Sequence, residues 1–428
     1  MRRIAVVVAL ATLTALAACS SKEKEVDPPA ELANFPATLR VQKAWDASVG
    51  GDGEKLRLGL GVTALDGRVY AAGREGDVAA FNLETGRPLW KVRTKTLLAG
   101  GTGAGHGLVV VGSSEGVVIA LDAADGKEKW RTKVNGEILA APAVGERAVV
   151  VRTVEGRLRG LAPDTGKELW QFEQQIPRLT LRGTAKPVIA GDAAFCGFDN
   201  GKVVAVNLAD GSPLWETTVA PSRGRTDLER LVDIDSAVRV EGSNVYAVGF
   251  QGRVAMLARD SGQIWWAQDA SSYRGLAVDD INLYISTADG DVVALRRNSG
   301  AEQWRQSGLA HRGLSAPVVT DNYVVVADFQ GYVHWLDKNT GEFAGRAQAG
   351  GTRVSNPPMA AGDRVFVIND EGRITAFKAS PIAVAEARPV KEAEPARRRG
   401  PPSASEPIEP PAGTPSGEEA PRGRGNGG

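Results

Sequence analysis

One frame of residues recurs eight times along the chain, and it limits the possible folds more than any single motif does. Its first glycine is Gly76, Gly116, Gly156, Gly201, Gly252, Gly290, Gly331 or Gly372. Ten residues later, in seven of the units, stands Gly86, Gly126, Gly166, Gly211, Gly262, Gly300 or Gly341. Four residues further on comes Trp90, Trp130, Trp170, Trp215, Trp266 or Trp304, and only the seventh unit departs, with Gly345. Self-similarity at a period near forty residues means a unit that cannot bury its apolar face alone and must stack on its neighbours.

Within a unit the local chemistry is that of short strands. Tyr323-Val324-Val325-Val326-Ala327 and Tyr332-Val333-His334-Trp335-Leu336 are strand-length and rich in β-branched or aromatic residues. Gln330-Gly331 and Thr340-Gly341 separate such runs, glycine being free to adopt the positive φ of tight hairpins. Pro142, Pro187, Pro317 and Pro357 each open a further strand, at a position where a missing N–H is tolerated. Four strands per unit is the arithmetic of a propeller blade. The sequence therefore predicts an all-β, eight-bladed β-propeller, with each tryptophan near the start of an outer strand, covering the seam to the next blade.

The eighth unit stops at Phe377 without its tryptophan strand, while Val41-Gln42-Lys43-Ala44-Trp45 precedes the first full unit. The N-terminal strand is thus expected to complete the last blade and close the ring, so that no terminal blade face stays exposed. The expected organisation is a signal segment at 1–18, a lipidated N-terminus and tether at 19–40, the propeller at 41–380 and a tail at 381–428. That tail has no aromatic residue and is rich in Pro, Glu, Arg and Gly, a composition that does not fold. Arg2 and Arg3 precede an apolar stretch from Ile4 to Ala18, too short to span a bilayer but suited to export. It ends in Leu16-Ala17-Ala18-Cys19, which resembles a bacterial lipobox, so Cys19 is the expected lipidation site. Ser20, being other than Asp, implies by resemblance to known lipoproteins the outer membrane, on its periplasmic face.

Composition narrows the function. Lys plus Arg equals Asp plus Glu, 51 each, so no global pull on nucleic acid is expected. With Cys19 lipidated, Cys196 remains alone, which excludes an internal disulfide or a cysteine metal cluster and suits a small buried side chain. His106, His311 and His334 lie in different units without metal-ligand spacing, and no Gly-x-Ser-x-Gly elbow occurs. No catalytic residue, metal or cofactor is expected.

Function in a repeat fold lies where the repeat breaks. The connections after Trp170 and after Trp215 are enlarged, and being adjacent they share one face. They carry Leu179, Leu181 and Arg182, and then Leu228, Arg230, Leu231, Asp233 and Asp235. Apolar anchors ringed by charge suit a protein-binding patch; the alternative is that the leucines plug the propeller and the charges pair among themselves.

At these residues the chain resembles the BamB family, the lipoprotein subunit of the outer-membrane β-barrel assembly machinery. Leu179-Thr180-Leu181-Arg182-Gly183, Leu231-Val232-Asp233-Ile234-Asp235 and His311-Arg312-Gly313-Leu314-Ser315-Ala316-Pro317 carry the resemblance. It implies a non-catalytic scaffold that binds the periplasmic POTRA region of the barrel-forming BamA subunit, alongside other members of the complex and unfolded outer-membrane clients. It also implies partner-binding roles for Leu179, Leu181, Arg182, Asp233 and Asp235. Arg182 would pair with a carboxylate, the aspartates with basic groups, and the leucines would fill apolar pockets. The repeat frame alone is shared with quinone-dependent dehydrogenases, the main alternative, but their adjacent Cys-Cys pair is missing. A glycan-binding propeller is the third reading and would require clustered exposed aromatic residues.

Overall fold

The computed structural model describes residues 27–50, 58–181 and 185–382. The strands form eight four-stranded antiparallel sheets. Seven are built from consecutive strands, at residues 63–93, 98–133, 143–173, 188–218, 239–270, 276–306 and 318–348. The eighth sheet is assembled from both ends of the chain: Met359–Ala361, Arg364–Ile368 and Arg373–Pro381 pair in order, and Leu39–Ser48 adds as the outermost strand. The innermost strands touch their neighbours all the way round, including those of the first and eighth blades. The ring is closed as the sequence predicts.

The alternation of burial follows from the blade geometry. Middle strands are buried on both faces, as in Leu108–Ser113 and Ala193–Gly197, because each blade is covered by a blade on either side. Outer strands such as Pro88–Arg93 and Pro213–Thr218 bury chiefly the tryptophan and expose the rest.

That tryptophan is the fastener between blades. In seven of the eight seams an indole N–H donates to a backbone carbonyl of the next blade at 2.5–3.1 Å, from Trp45, Trp90, Trp130, Trp170, Trp215, Trp266 and Trp304 to Leu83, Ala123, Pro163, Leu208, Arg259, Arg297 and Lys338. Three residues after each acceptor lies the second glycine of the frame, and the indole covers it. A Cβ on Gly86 would sit 2.5 Å from the Trp45 ring, and one on Gly126 would sit 2.7 Å from Trp90. Each glycine therefore serves its own turn, at φ 68° for Gly86, and the flat seat of the preceding blade's ring.

Within the segment expected as a tether, the chain is docked from Ala30 onward. Ala30 N–H donates to the Ala310 carbonyl at 2.9 Å, and Arg312 Nη1 donates to the Ala30 carbonyl at 2.9 Å. Arg346 Nη1 donates to Ala33 at 3.1 Å and lies over the Phe35 ring, which stacks on Phe343 at 5.3 Å. A buried network holds Arg346 in place: its Nε donates to His334 Nδ1 at 3.1 Å, and His334 Nε2 meets Asp328 at 3.2 Å. Charge and aromatic contact thus pin residues 30–38 along the seventh blade.

Candidate functional site

The two enlarged connections run over residues 174–187 and 219–238, linking the third blade to the fourth and the fourth to the fifth. The second is latched internally. Glu229 Oε2 accepts from the N–H groups of Arg225 and Thr226 at 2.7 and 3.2 Å, and Thr226 Oγ1 accepts from Glu229 N–H at 3.2 Å. These reciprocal bonds have the logic of a helix capping box applied to a single turn. The two backbone N–H groups hold the Glu229 carboxyl below its ordinary value. Ser222 Oγ and Arg230 Nε close the loop base, donating to Arg230 and Gly224 carbonyls at 2.7 and 3.0 Å. Leu228 is thereby presented at 67% exposure, and across from it Leu179 and Leu181 stand 44% and 39% exposed. Between the loops is a hollow of about 260 Å³ lined by Arg178, Leu179, Asp227 and Arg230 among others.

Beneath this rim lies a buried ionic platform. Arg152, at the end of a third-blade strand, pairs with Asp199 in a turn of the fourth, and both are out of solvent. The Arg152 guanidinium also covers the Phe198 ring at 5.1 Å. Carboxylate oxygens of Asp199, Asp233 and Asp235 fall within 4.8 Å of one another. Burial first, then the Asp235 and Asp199 charges, push the Asp233 carboxyl up to about 9, with Arg152 working against them. Asp233 Oδ2 accepts from the Leu181 N–H at 3.2 Å, and its backbone pairs with Phe250. The acidic trio is arranged around a guanidinium, so its counter-charge comes from Arg152.

The structure therefore brings together Leu179, Leu181, Asp233 and Asp235, as the sequence reading groups them. It gives them unequal parts. The leucines face solvent, whereas Asp233 is fully buried and acts from below, holding the backbone of Leu181. Arg182 and Cys19 lie outside the described residues. Arg152 and Asp199 escape sequence reasoning, because each sits in an ordinary blade position and only the fold joins them. Of the other singled-out groups, Cys196 is fully buried and its thiol is pushed up to about 12 by that burial. His334 belongs to the network under the N-terminal segment. Among the described residues Trp265 is the one aromatic side chain that stands as an exposed large hydrophobic.

These features define a class: an eight-bladed β-propeller whose blades are fastened by tryptophan-on-glycine seams. Solved structures agree at the level of fold. A quinohemoprotein alcohol dehydrogenase from Pseudomonas putida superposes with a TM-score of 0.63 at 15% identity, covering 85% of this chain and 79% of its own. The crystal structure of BamB from Moraxella catarrhalis reaches a TM-score of 0.73 at 27% identity, over 79% of this chain and all of that one. In sequence, the family model described as outer membrane protein assembly factor BamB matches residues 74–306 and 288–382. The outer membrane protein assembly factor BamB of Pseudomonas aeruginosa is 46% identical over 369 residues, 86% of this chain and 97% of the relative. That of Alkalilimnicola ehrlichii is 44% identical over 371 residues, 87% and 96%. The chain belongs to the BamB family, whose members are named as outer membrane protein assembly factors.

Proposed function

We propose that this chain is a scaffold of outer-membrane protein assembly, tethered through a lipid on Cys19 at the periplasmic face of the outer membrane. In this reading its enlarged loops bind the POTRA domains of a BamA-like subunit. The names of its relatives support the assembly role. The observation that carries the docking claim is the presentation of Leu179, Leu181 and Leu228 on loops latched over a buried platform. Apolar side chains held rigidly at a charged rim lose little conformational entropy when a partner covers them. Arg182 supplies a charge-assisted contact, while Asp233 and Asp235 act by holding the rim in shape.

The test is capture of the POTRA region by the purified chain, comparing wild type with Arg182→Glu and Leu179→Asp. Each variant should weaken capture at least about tenfold, the scale of a central anchor residue. Equal capture by both variants and the wild type would remove the interface assignment. Membrane anchoring is tested apart from this, since Cys19→Ala should move the protein to the soluble fraction without altering capture.

A further inference from the structure

The inner strands of the ring carry charge in one sector along three of their rows. In each blade the residue paired with the centre of the second strand can be read from the register: Thr63, Gly103, Ala143, Val188, Arg239, Ala277, Val318 and Met359. Seven are uncharged and one is Arg239. Two residues earlier the row reads Gly61, Gly101, Ala141, Lys186, Ala237, Gly275, Ala316 and Pro357, with Lys186 its single charge. One residue earlier still, Leu60, Gly100, Ala140, Ala185, Ser236, Ser315 and Asn356 accompany Arg274. Each of these three rows thus carries one cation, and the three fall on consecutive blades, the fourth, fifth and sixth.

We propose that Lys186, Arg239 and Arg274 form a binding site on the wall of the central channel for a small polyanion bearing two or more carboxylate or phosphate groups.

The contacts support one shared locus. Arg239 Nε donates to the Leu276 carbonyl at 3.1 Å, which ties it to the inner strand that Arg274 precedes. Arg274 lies over the Tyr273 ring at 4.7 Å, and its Nε is buried without a hydrogen-bond partner among the described residues. Burial raises the Asp370 carboxyl of the eighth blade, and the charges of Arg353 and then Arg274 work against that rise. Burial and then the Arg239 charge hold the Lys186 ammonium below its ordinary value. Two carboxylates face this sector. Glu241 acts on Arg239 from the same strand, and Asp370 is already engaged by Ser355 through N–H and Oγ at 3.1 and 2.8 Å. Arg239 is exposed and Lys186 and Arg274 are half-buried, so all three are open to a ligand, and guanidinium forks bind carboxylate or phosphate oxygens in pairs.

The experiment uses the purified full chain in detergent, titrated calorimetrically with pyrophosphate and separately with citrate, sodium chloride holding the ionic strength constant. Saturable binding near one per chain is expected for at least one probe, and which one binds assigns phosphate or carboxylate as the ligand chemistry. Lys186→Ala and Arg239→Gln should each weaken it at least about tenfold, the effect of one lost charge-assisted hydrogen bond. Alanine already occupies the Lys186 row in three other blades, so that variant should fold, and its unliganded melting temperature checks this. As a second readout, acylation of Lys186 followed by mass spectrometry should slow when the bound probe is present. No saturable binding of either probe, or binding unchanged in the double variant, would overturn the site.

Discussion

Ring closure rests on the seam between the N-terminal strand and the first blade, and a double-variant cycle at Trp45 and Gly86 measures it. Trp45 is 8% exposed, its N–H bonds the Leu83 carbonyl at 3.0 Å, and its ring meets Phe366 at 5.6 Å. Truncating such a side chain to alanine costs about 3–5 kcal/mol. Gly86→Ala carries two separate costs. The residue sits at φ 68°, where a Cβ costs about 1–2 kcal/mol, and that Cβ would lie 2.5 Å from the indole, an overpacking worth about 1–3 kcal/mol. In the double variant the indole is gone and the second cost disappears with it. The two changes together should therefore cost about 1–3 kcal/mol less than the sum of each alone.

Equilibrium denaturation followed by far-ultraviolet circular dichroism gives the midpoints, with the denaturant slope checked for constancy. Trp304→Ala combined with Gly86→Ala is the control. Those sites share no partner, so the pair should add to within about 0.5 kcal/mol. Additivity at Trp45 and Gly86 of the same quality would refute the seating of the ring on the glycine and, with it, this account of the repeat.

Asp233→Asn should flatten part of the pH dependence of stability. A carboxyl raised from 3.8 to about 9 stabilises the fold fully below the unfolded value and loses that contribution as pH rises through the folded one. The amide, neutral throughout, should melt several degrees higher than wild type at pH 8 and show no such advantage at pH 4. Phe35→Ala should free the docked N-terminal segment, read as faster proteolytic cleavage before residue 38 with little change in melting of the ring. The wild-type segment should loosen in the same assay under acid conditions. Burial holds His334 below its ordinary 6.5, so its neutral form supports the fold above that value, and protonation below it removes the acceptor for Arg346. Leu228→Asp, at a 67% exposed position, should leave melting unchanged and abolish capture of the partner.

Blade number, strand count and closure were legible because each is written in a periodic, local signal. The glycines of the repeat frame, Gly252 excepted, sit at positive φ in turns, and a missing outer strand at one terminus has to be supplied by the other. The candidate site was legible only as a grouping. Leu181 and Asp233 can be assigned to neighbouring loops from the broken repeat, but nothing in Leu231-Val232-Asp233-Ile234-Asp235 announces which carboxylates are buried. That is decided where loops from separate blades meet over Arg152 and Asp199, a long-range event without a local signature. The docking of residues 30–38 was hidden for a similar reason. Leu32 and Phe35 are isolated apolar residues in a polar stretch, and their partner surface, Phe343 with Arg346, lies more than three hundred residues away.

Gly345, the one position where the tryptophan rule fails, follows from closure itself. An indole needs a glycine seat in the turn between the third and fourth strands of the blade that follows. The eighth blade has no such turn, because its third strand, Arg373–Pro381, leads on toward the C-terminus and its fourth, Leu39–Ser48, arrives from the N-terminus. A Cβ at 345 would instead meet Val41 at 3.0 Å and the Leu39 carbonyl at 3.1 Å, so the incoming strand occupies the space a ring would need. A backbone bond replaces the indole there: Thr38 N–H donates to the Ala344 carbonyl at 3.0 Å. A wheel of this kind closed by its own N-terminal strand must have one fewer tryptophan seam than it has blades, and the place of the missing tryptophan marks the blade at which the two ends of the chain meet.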